Sequence, residues 1–546
     1  MNRNISYSSL LEKAIIILLI IAFLLFILYP IVGLFIRSLT EGGEWSLYYY
    51  KDLFKDENLE LIRNSVFVAS LSSICATILA LSIGLYAHFK GAKIRNYIYR
   101  GLMISMISPP FISSLGLLTL FGRRGLISYG LLGLTLNPYG WHGIVLLQSL
   151  GGIPLSAMFI MAGLNQIDSR LILASRDLGA NTWQTLKNVI LPSLIPTILS
   201  VLFLRFTMNI SDFTTPIIIG GRFNVLATEA YLRVYAQANL NGAAAMTVLL
   251  LPPALMAFFF YNKNLQKTNT LSDRSKILDV ESLNFKLPKL INFISATITV
   301  IFFIIMVVQY GNIFIQAISR NVSGKLVFTT DHLHFFQTRH FDALLRTIYM
   351  ALIAGLLSTI FGLLLSYYNR MRRIPGMKSI EFIGSLPYII PGIFFGLAYI
   401  VAFHNGPIKM TGTLIILIIN CTFRHVSVGT KAANAAFENI DKKLEWASYD
   451  LGASKLQSLC TLIFPMLRPT FLTSFINAFT ASMTTVGPLM LLISPKNLII
   501  SVLMFSEVSN GRYGQAAVMG VSLILITFTV NLIAIALMTR EKRIIK

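Results

Sequence analysis

Few residues of this chain are spaced for chemistry, and most of those sit in apolar surroundings. Arg205 and Asp212 stand seven residues apart inside an apolar run, so on a helix they share about one face. Ionisable groups in such a run are costly to bury and mark function by default. Asp212 lies twenty residues beyond Pro192, roughly 30 Å along a helix, which puts it near the outer end. Two roles are open for it: lining an outer gate, or capping a broken helix. Arg424 and His425 are adjacent in another apolar run and read as structural groups paired with carbonyls. His332, His334 and His340 fall in a loop without a nearby carboxylate or tyrosine cluster, so they read as loop residues and no metal site is expected. Cys75, Cys421 and Cys460 are far apart and lack metal-ligand spacing. The chain has no G-x-x-x-x-G-K-[ST] phosphate loop, and no Ser/His/Asp or paired-carboxylate arrangement. Neither catalysis, ATP binding by that loop, nor a cofactor is expected.

Elements must be found that can hold such residues. Of 546 residues 55% are apolar and 12% charged, with a mean hydropathy of +0.70. A soluble chain carries about 25% charge. The composition therefore excludes a soluble protein and a disordered one, and specifies an all-α polytopic membrane protein. A span needs about 20 apolar residues. That rule gives twelve candidates, at 14–36, 64–89, 98–121, 142–165, 189–220, 244–261, 290–316, 343–368, 379–404, 412–432, 462–493 and 516–538. The fifth and eleventh are long, and Pro216 and Pro488 suit breaks near their outer ends, since proline removes a helix hydrogen bond. Irregular backbone at membrane depth is tolerated only against protein or a water-filled cavity, so both prolines are candidates for the translocation path, with Arg205 and Asp212. The net charge of +22 reads as topology rather than as a nucleic-acid footprint. With both termini cytoplasmic, the inner loops collect most of the Lys and Arg, as the positive-inside rule requires.

The strongest signal is internal repetition. Residues 174–192, ASRDLGANTWQTLKNVILP, match 447–465, ASYDLGASKLQSLCTLIFP, at ten of nineteen positions with an offset of 273, half the chain. Self-similarity of this kind decides architecture. Each half has six spans with the repeated segment between its fourth and fifth, so the halves are parallel repeats. Each segment reads as a short cytoplasmic helix. Asp168 or Asp441 supplies the N-cap, Ala174-Ser175 or Ala447-Ser448 a small smooth face, and Gly179 or Gly452 a left-handed stop. Two copies at one topological place point to docking on a cytoplasmic partner.

These segments resemble the EAA motif of ATP-binding-cassette (ABC) importer permeases. Ala174, Ser175, Asp177, Leu178, Gly179 and Ala180 match it, as do Ala447, Ser448, Asp450, Leu451, Gly452 and Ala453. The motif's glutamate is replaced by Leu173 and Trp446, and its second alanine by serine. The resemblance implies two coupling helices meeting two copies of a cytoplasmic ATPase, with a solute-binding protein delivering cargo outside. Residues 141–146, 211–216, 223–229 and 511–517 look like the double-length ferric-iron branch, which also includes 2-aminoethylphosphonate permeases. The implied division is a first helix and outer loop (1–59), a permease domain (60–262), a cytoplasmic linker (263–288), a seventh helix and outer segment (289–341), a second permease domain (342–538) and a basic tail (539–546). An ion-coupled secondary transporter would need more buried carboxylates and no docking pair; a membrane enzyme or scaffold would need a reactive constellation or a large soluble domain.

Overall fold

In the computed structural model, residues 2–106, 110–122, 125–131, 133–135, 137–272, 285–322, 325–404 and 406–544 are described. Asp273, Arg274 and Lys276 of the expected linker lie outside them, as do the last two residues of the basic tail. The molecule is helical, with short antiparallel hairpins at 40–45 and 319–328.

Among the described residues nine continuous helices are long and apolar enough to cross a membrane: Leu10–Ser38, Asn58–Phe89, Trp141–Leu164, Thr182–Ile210, Leu240–Gln266, Lys289–Ile318, Phe341–Met371, Leu414–Glu438 and Tyr513–Ala534. Two bent pairs bring the number to eleven. Met377–Ile389 and Gly392–Phe403 meet at 114°, and Lys455–Met466 and Arg468–Thr484 at 74°. The candidate at 98–121 takes the form of two helices, Ala92–Ser105 and Pro110–Phe121, with 107–109 outside the described residues. The sequence places Pro110 and Pro391 at like positions in the two halves, and the helices are divided at both. The 74° bend at Leu467 differs from the expectation, which placed the eleventh span's break only at its outer end. Its counterpart in the first half, Thr182–Ile210, runs through without such a bend.

The fifth and eleventh spans do stop short, as Pro216 and Pro488 suggested. Thr182–Ile210 gives way to a short helix, Thr214–Ile219, and Arg468–Thr484 to Gly487–Met490. Each half then adds a ten-residue helix, Leu226–Tyr235 or Ile500–Ser509, before its last span. The two halves are thus parallel six-helix repeats.

What the sequence did not reveal is an exchange between them. The first span packs on the second half: Phe23 meets Phe423 edge-on at 5.6 Å, Phe35 meets Phe394 at 6.0 Å, and Tyr399 donates to the Phe26 carbonyl at 2.7 Å. The seventh span packs on the first half, where Phe302 shares a core with Ile98, Leu102 and Ile153. There Tyr310 donates to the Ser105 carbonyl at 3.2 Å. Lipid is as apolar as leucine, so close packing rather than expulsion from water holds such contacts. Small residues allow it. A Cβ on Gly101 would lie 2.5 Å from Phe303 Cε1, and one on Gly384 2.6 Å from Phe23 Cε1.

A close backbone approach also joins the eighth and tenth spans. A Cβ on Gly362 would sit 2.8 Å from the Thr430 nitrogen and 2.9 Å from the Gly429 carbonyl carbon, atoms that move only with their helix. Gly311 has open space beside it. Gly362→Ala is expected to cost about 1–3 kcal/mol by overpacking and to lower the thermal unfolding midpoint in detergent, while Gly311→Ala leaves it within error.

Candidate functional site

The two repeated segments fold alike. Asp168 Oδ1 accepts from the Arg170 amide at 3.0 Å and caps the helix Ser169–Asp177. In the second copy the cap residue is Lys442 rather than Asp441, because the helix Lys443–Asp450 starts one residue later. The Asp441 carboxylate still accepts from the Lys443 amide at 2.9 Å, so the expected charge-to-amide contact is kept with the cap displaced. Both helices end in a Schellman motif. The Ala180 amide donates to Ser175 and that of Gly179 to Arg176; the Ala453 amide donates to Ser448 and that of Gly452 to Tyr449. This closure needs a left-handed residue, and Gly179 and Gly452 supply it at φ +81° and +86°. A capping box follows at once, Asn181 with Gln184 and Ser454 with Gln457. A wide helical turn then leads into Pro192 or Pro465.

Each corner therefore projects a rigid knuckle. Ala174, Asp177, Gly179, Ala447, Asp450 and Gly452 are exposed, and Ser175 and Ser448 half-buried. At the apex stand Leu178, 88% exposed, and Leu451, 89% exposed. An apolar side chain so fully presented, twice, at related places is the outstanding surface feature. The sequence signal was present, since leucine precedes the glycine in both copies, but a leucine at a helix end is ordinarily core.

The knuckles are seated by different physics. Ile172 anchors the first in an apolar cluster with Leu85, Leu186 and Phe285. The residue 273 later is Glu445, which is buried. It accepts from the hydroxyls of Tyr367 and Tyr449, both at 2.5 Å, and lies 3.9 Å from Arg372. Arg372 donates to the Tyr449 hydroxyl at 2.8 Å and pairs with Glu12 at 3.4 Å; Lys455 reaches the other Glu12 oxygen at 3.5 Å. Burial and Glu445 push the Tyr449 hydroxyl up to about 12, so it remains a donor. A glutamate does occur beside Trp446, then, but it holds its own chain together. Leu173 and Trp446 are themselves exposed.

At the other ends of the fifth and eleventh spans and beside them, the interrupted helices are stitched by buried and half-buried polar groups. Asp212 Oδ1 accepts from the amides of Thr214 and Thr215 at 2.9 and 3.3 Å, and Oδ2 from Gln148 at 3.2 Å. The carboxylate thus meets the first free amides of the short helix Thr214–Ile219. Arg205 is buried in space left by Gly152, and donates to the Gln148 carbonyl at 3.2 Å and to Asn209 Oδ1 at 3.0 Å. Arg424 donates to the carbonyls of Pro387 and Ile390, 2.8 and 3.2 Å away, beside the 114° bend. His425 lies 3.3 Å from Thr485 Oγ1 at the break before Gly487–Met490. The expectation that Arg424 pairs with carbonyls is met. Pro216 and Pro488 are buried inside the short helices. The breaks of the two halves meet, since Phe213 packs against Phe505 at 6.5 Å and lies within contact distance of Gly487. His332 and His334 sit on the helix Asp331–Arg339, and His340 ends it, 3.8 Å from Glu507.

Two parallel six-span repeats, interrupted where they meet and each carrying a matched knuckle between its fourth and fifth spans, define a two-fold membrane permease. The chain belongs to the family of binding-protein-dependent transport system inner membrane components, whose model matches residues 77–269 and 358–543. It is a multi-pass permease of the ABC importer type. It is 28% identical to the ferric transport system permease protein FbpB of Actinobacillus pleuropneumoniae, covering 94% of this chain and 76% of that one. With the putative ferric transport system permease protein FbpB 1 of Haemophilus influenzae the identity is 30%, over 88% and 77%. The putative 2-aminoethylphosphonate transport system permease protein PhnV of Salmonella typhimurium is 27% identical over 42% of this chain and 88% of its own.

Replacing Arg424 by leucine removes the donor to two buried carbonyls, each costing about 1–3 kcal/mol when left unsatisfied. Arg424→Leu is expected to lower the thermal midpoint strongly, read by tryptophan fluorescence in detergent, with helix content unchanged before melting.

Proposed function

We propose that this permease carries ferric iron inward, driven by two copies of a cytoplasmic ATPase that dock on the knuckles at 168–180 and 441–453 and fed by an extracytoplasmic binding protein. The observation that carries the docking assignment is the pair of matched corners with Leu178 and Leu451 at their apices. An apolar apex flanked by Ala174-Ser175 or Ala447-Ser448 suits insertion into a cleft, and Asp177, Gly179, Asp450 and Gly452 complete the contact. On this reading the knuckle face is cytoplasmic, as are both termini, which agrees with the basic loops. The domain division given above stands as part of the same proposal.

The coupling path follows from continuity. Thr182–Ile210 begins beside the first knuckle and ends at the Asp212 cap, a lever of about 44 Å for 29 residues at 1.5 Å each. Movement of the knuckle is thereby delivered to the interrupted helices at the far end, where the two halves meet. ATPase closure would shift both knuckles together and so open and close that junction, with alternating access as the result.

Iron is favoured by the two ferric relatives. A small phosphonate is the second reading, and Lys431 favours it. Its ammonium lies 4.3 Å from the Tyr388 ring and 5.9 Å from that of Phe258, which comes from the other half. Lys431 has no carboxylate partner among the described residues, and a lone cation between the halves suits an anion.

Both parts are tested in cells expressing the permease with its ATPase and binding protein. Gly179 and Gly452 adopt a backbone conformation that costs about 1–2 kcal/mol for other residues, and the space beside them is open. The double variant Gly179→Val/Gly452→Val is expected to reach the membrane normally, lose copurification of the ATPase, and take up radiolabelled ferric iron at less than a tenth of the wild-type rate. Undiminished uptake and copurification would sink the docking assignment. Accumulation of labelled 2-aminoethylphosphonate but not iron by the wild type would transfer the cargo to the second reading.

A further inference from the structure

A cavity of about 480 Å³ opens where the eighth span ends and the next helix begins, lined by Asn369, Arg370, Arg373, Lys378, Glu381 and Ser385, with Phe382 at its rim. Arg370, Arg373 and Lys378 are exposed, and none of the three has an ion pair or hydrogen bond among the described residues. Their neighbour Arg372 is fully engaged with Glu12, Glu445 and Tyr449. The one carboxylate in the wall is already occupied. Glu381 accepts from Asn434 at 2.7 Å through one oxygen and from Asn369 through the other. Three free cations therefore face the opening while the acid beside them is held by neutral amides.

The backbone singles out one of the three. Arg373 has φ +49°, one of only two non-glycine residues with positive φ among those described. Strained positions of this kind persist where a side chain is needed. The fold does not require it, as the first half shows. There the connection between Asn58–Phe89 and Ala92–Ser105 is two residues long, and its only positive φ is at Gly91, just before the next helix, the place that Gly376 holds in the second half. The second half uses five residues between Met371 and Met377, and the insertion brings in the arginine pair.

We infer that Arg370, Arg373 and Lys378 form a binding site for the phosphate of an anionic phospholipid headgroup. Guanidinium groups match phosphate oxygens bidentately, and an ammonium adds a point charge. A lipid is the source favoured because the cavity continues onto the membrane-entering helix Met377–Ile389, where Phe382, 64% exposed, offers an apolar wall for an acyl chain. Basic pockets at the membrane boundary between spans suit such headgroups.

Native mass spectrometry of the purified full-length permease tests this, with phosphatidylglycerol and phosphatidylcholine of equal chain length as probes. Wild type is expected to retain phosphatidylglycerol at least tenfold more than phosphatidylcholine. Arg370→Gln/Lys378→Gln is expected to lose that preference. Arg373→Gly is expected to weaken retention several-fold while its thermal midpoint is unchanged or raised, since glycine relieves the φ; that separates lost recognition from lost folding. Arg370→Lys, which keeps the charge, is expected to retain most of the preference. Equal retention of both lipids by wild type, or an undiminished preference in the double variant, would overturn the inference. Displacement of phosphatidylglycerol by millimolar inorganic phosphate would overturn the lipid assignment in favour of a free-anion site.

Discussion

In hydrocarbon a backbone amide or carbonyl without a partner finds no water to replace it, and the rest of this structure depends on how that constraint is met. Straight spans satisfy it within themselves. A transporter needs helices that stop and turn inside the membrane, and each stop frees polar groups. Here single half-buried side chains answer those groups: Asp212 for the amides of Thr214 and Thr215, Arg424 for the carbonyls of Pro387 and Ile390. Two of the ionisable residues that the sequence marked as conspicuous therefore stand at interruptions and meet backbone groups there. Phe213, Gly487 and Phe505 can then meet at the junction of the halves.

The duplicated architecture is less symmetric than the duplicated sequence. Both knuckles have the same closure, the same left-handed glycine and the same following box. Yet one is seated by Ile172 among apolar neighbours and the other by Glu445 in a web of tyrosines and arginine. An apolar seat carries no charge, whereas the second depends on acids buried against their partners, where salt screens them little. The arginines at the interruptions are likewise unmatched. Arg205 comes from the fifth span, whereas Arg424 comes from the tenth.

Much of this was legible in the chain. Span length is a one-dimensional property, so apolar runs reported it faithfully, and repetition located the knuckles without any contact information. Glycine before a proline-led span announced the left-handed corners, because few other residues tolerate that backbone. The misses have a common cause. The start of the helix at Lys443 instead of Lys442, the bend at Leu467 and the inward turn of Glu445 are settled by neighbours distant in sequence. So is the exchange of first spans. It rests on close approaches such as Gly384 to Phe23 and Gly101 to Phe303, and nothing in an apolar run says which other apolar run it will touch.

That exchange separates genetic ownership from mechanical ownership. Glu12 is encoded at the start of the first repeat, but it grips Arg372 and Lys455 and so belongs, as a machine part, to the second. A lesion inherited near the start of the gene would be felt at the far knuckle before the near one. Two half-length polypeptides built on this plan would each lack a wall until they met. The tether that makes them one chain is thus also a guarantee of stoichiometry, delivering to every half the one helix that it cannot supply for itself.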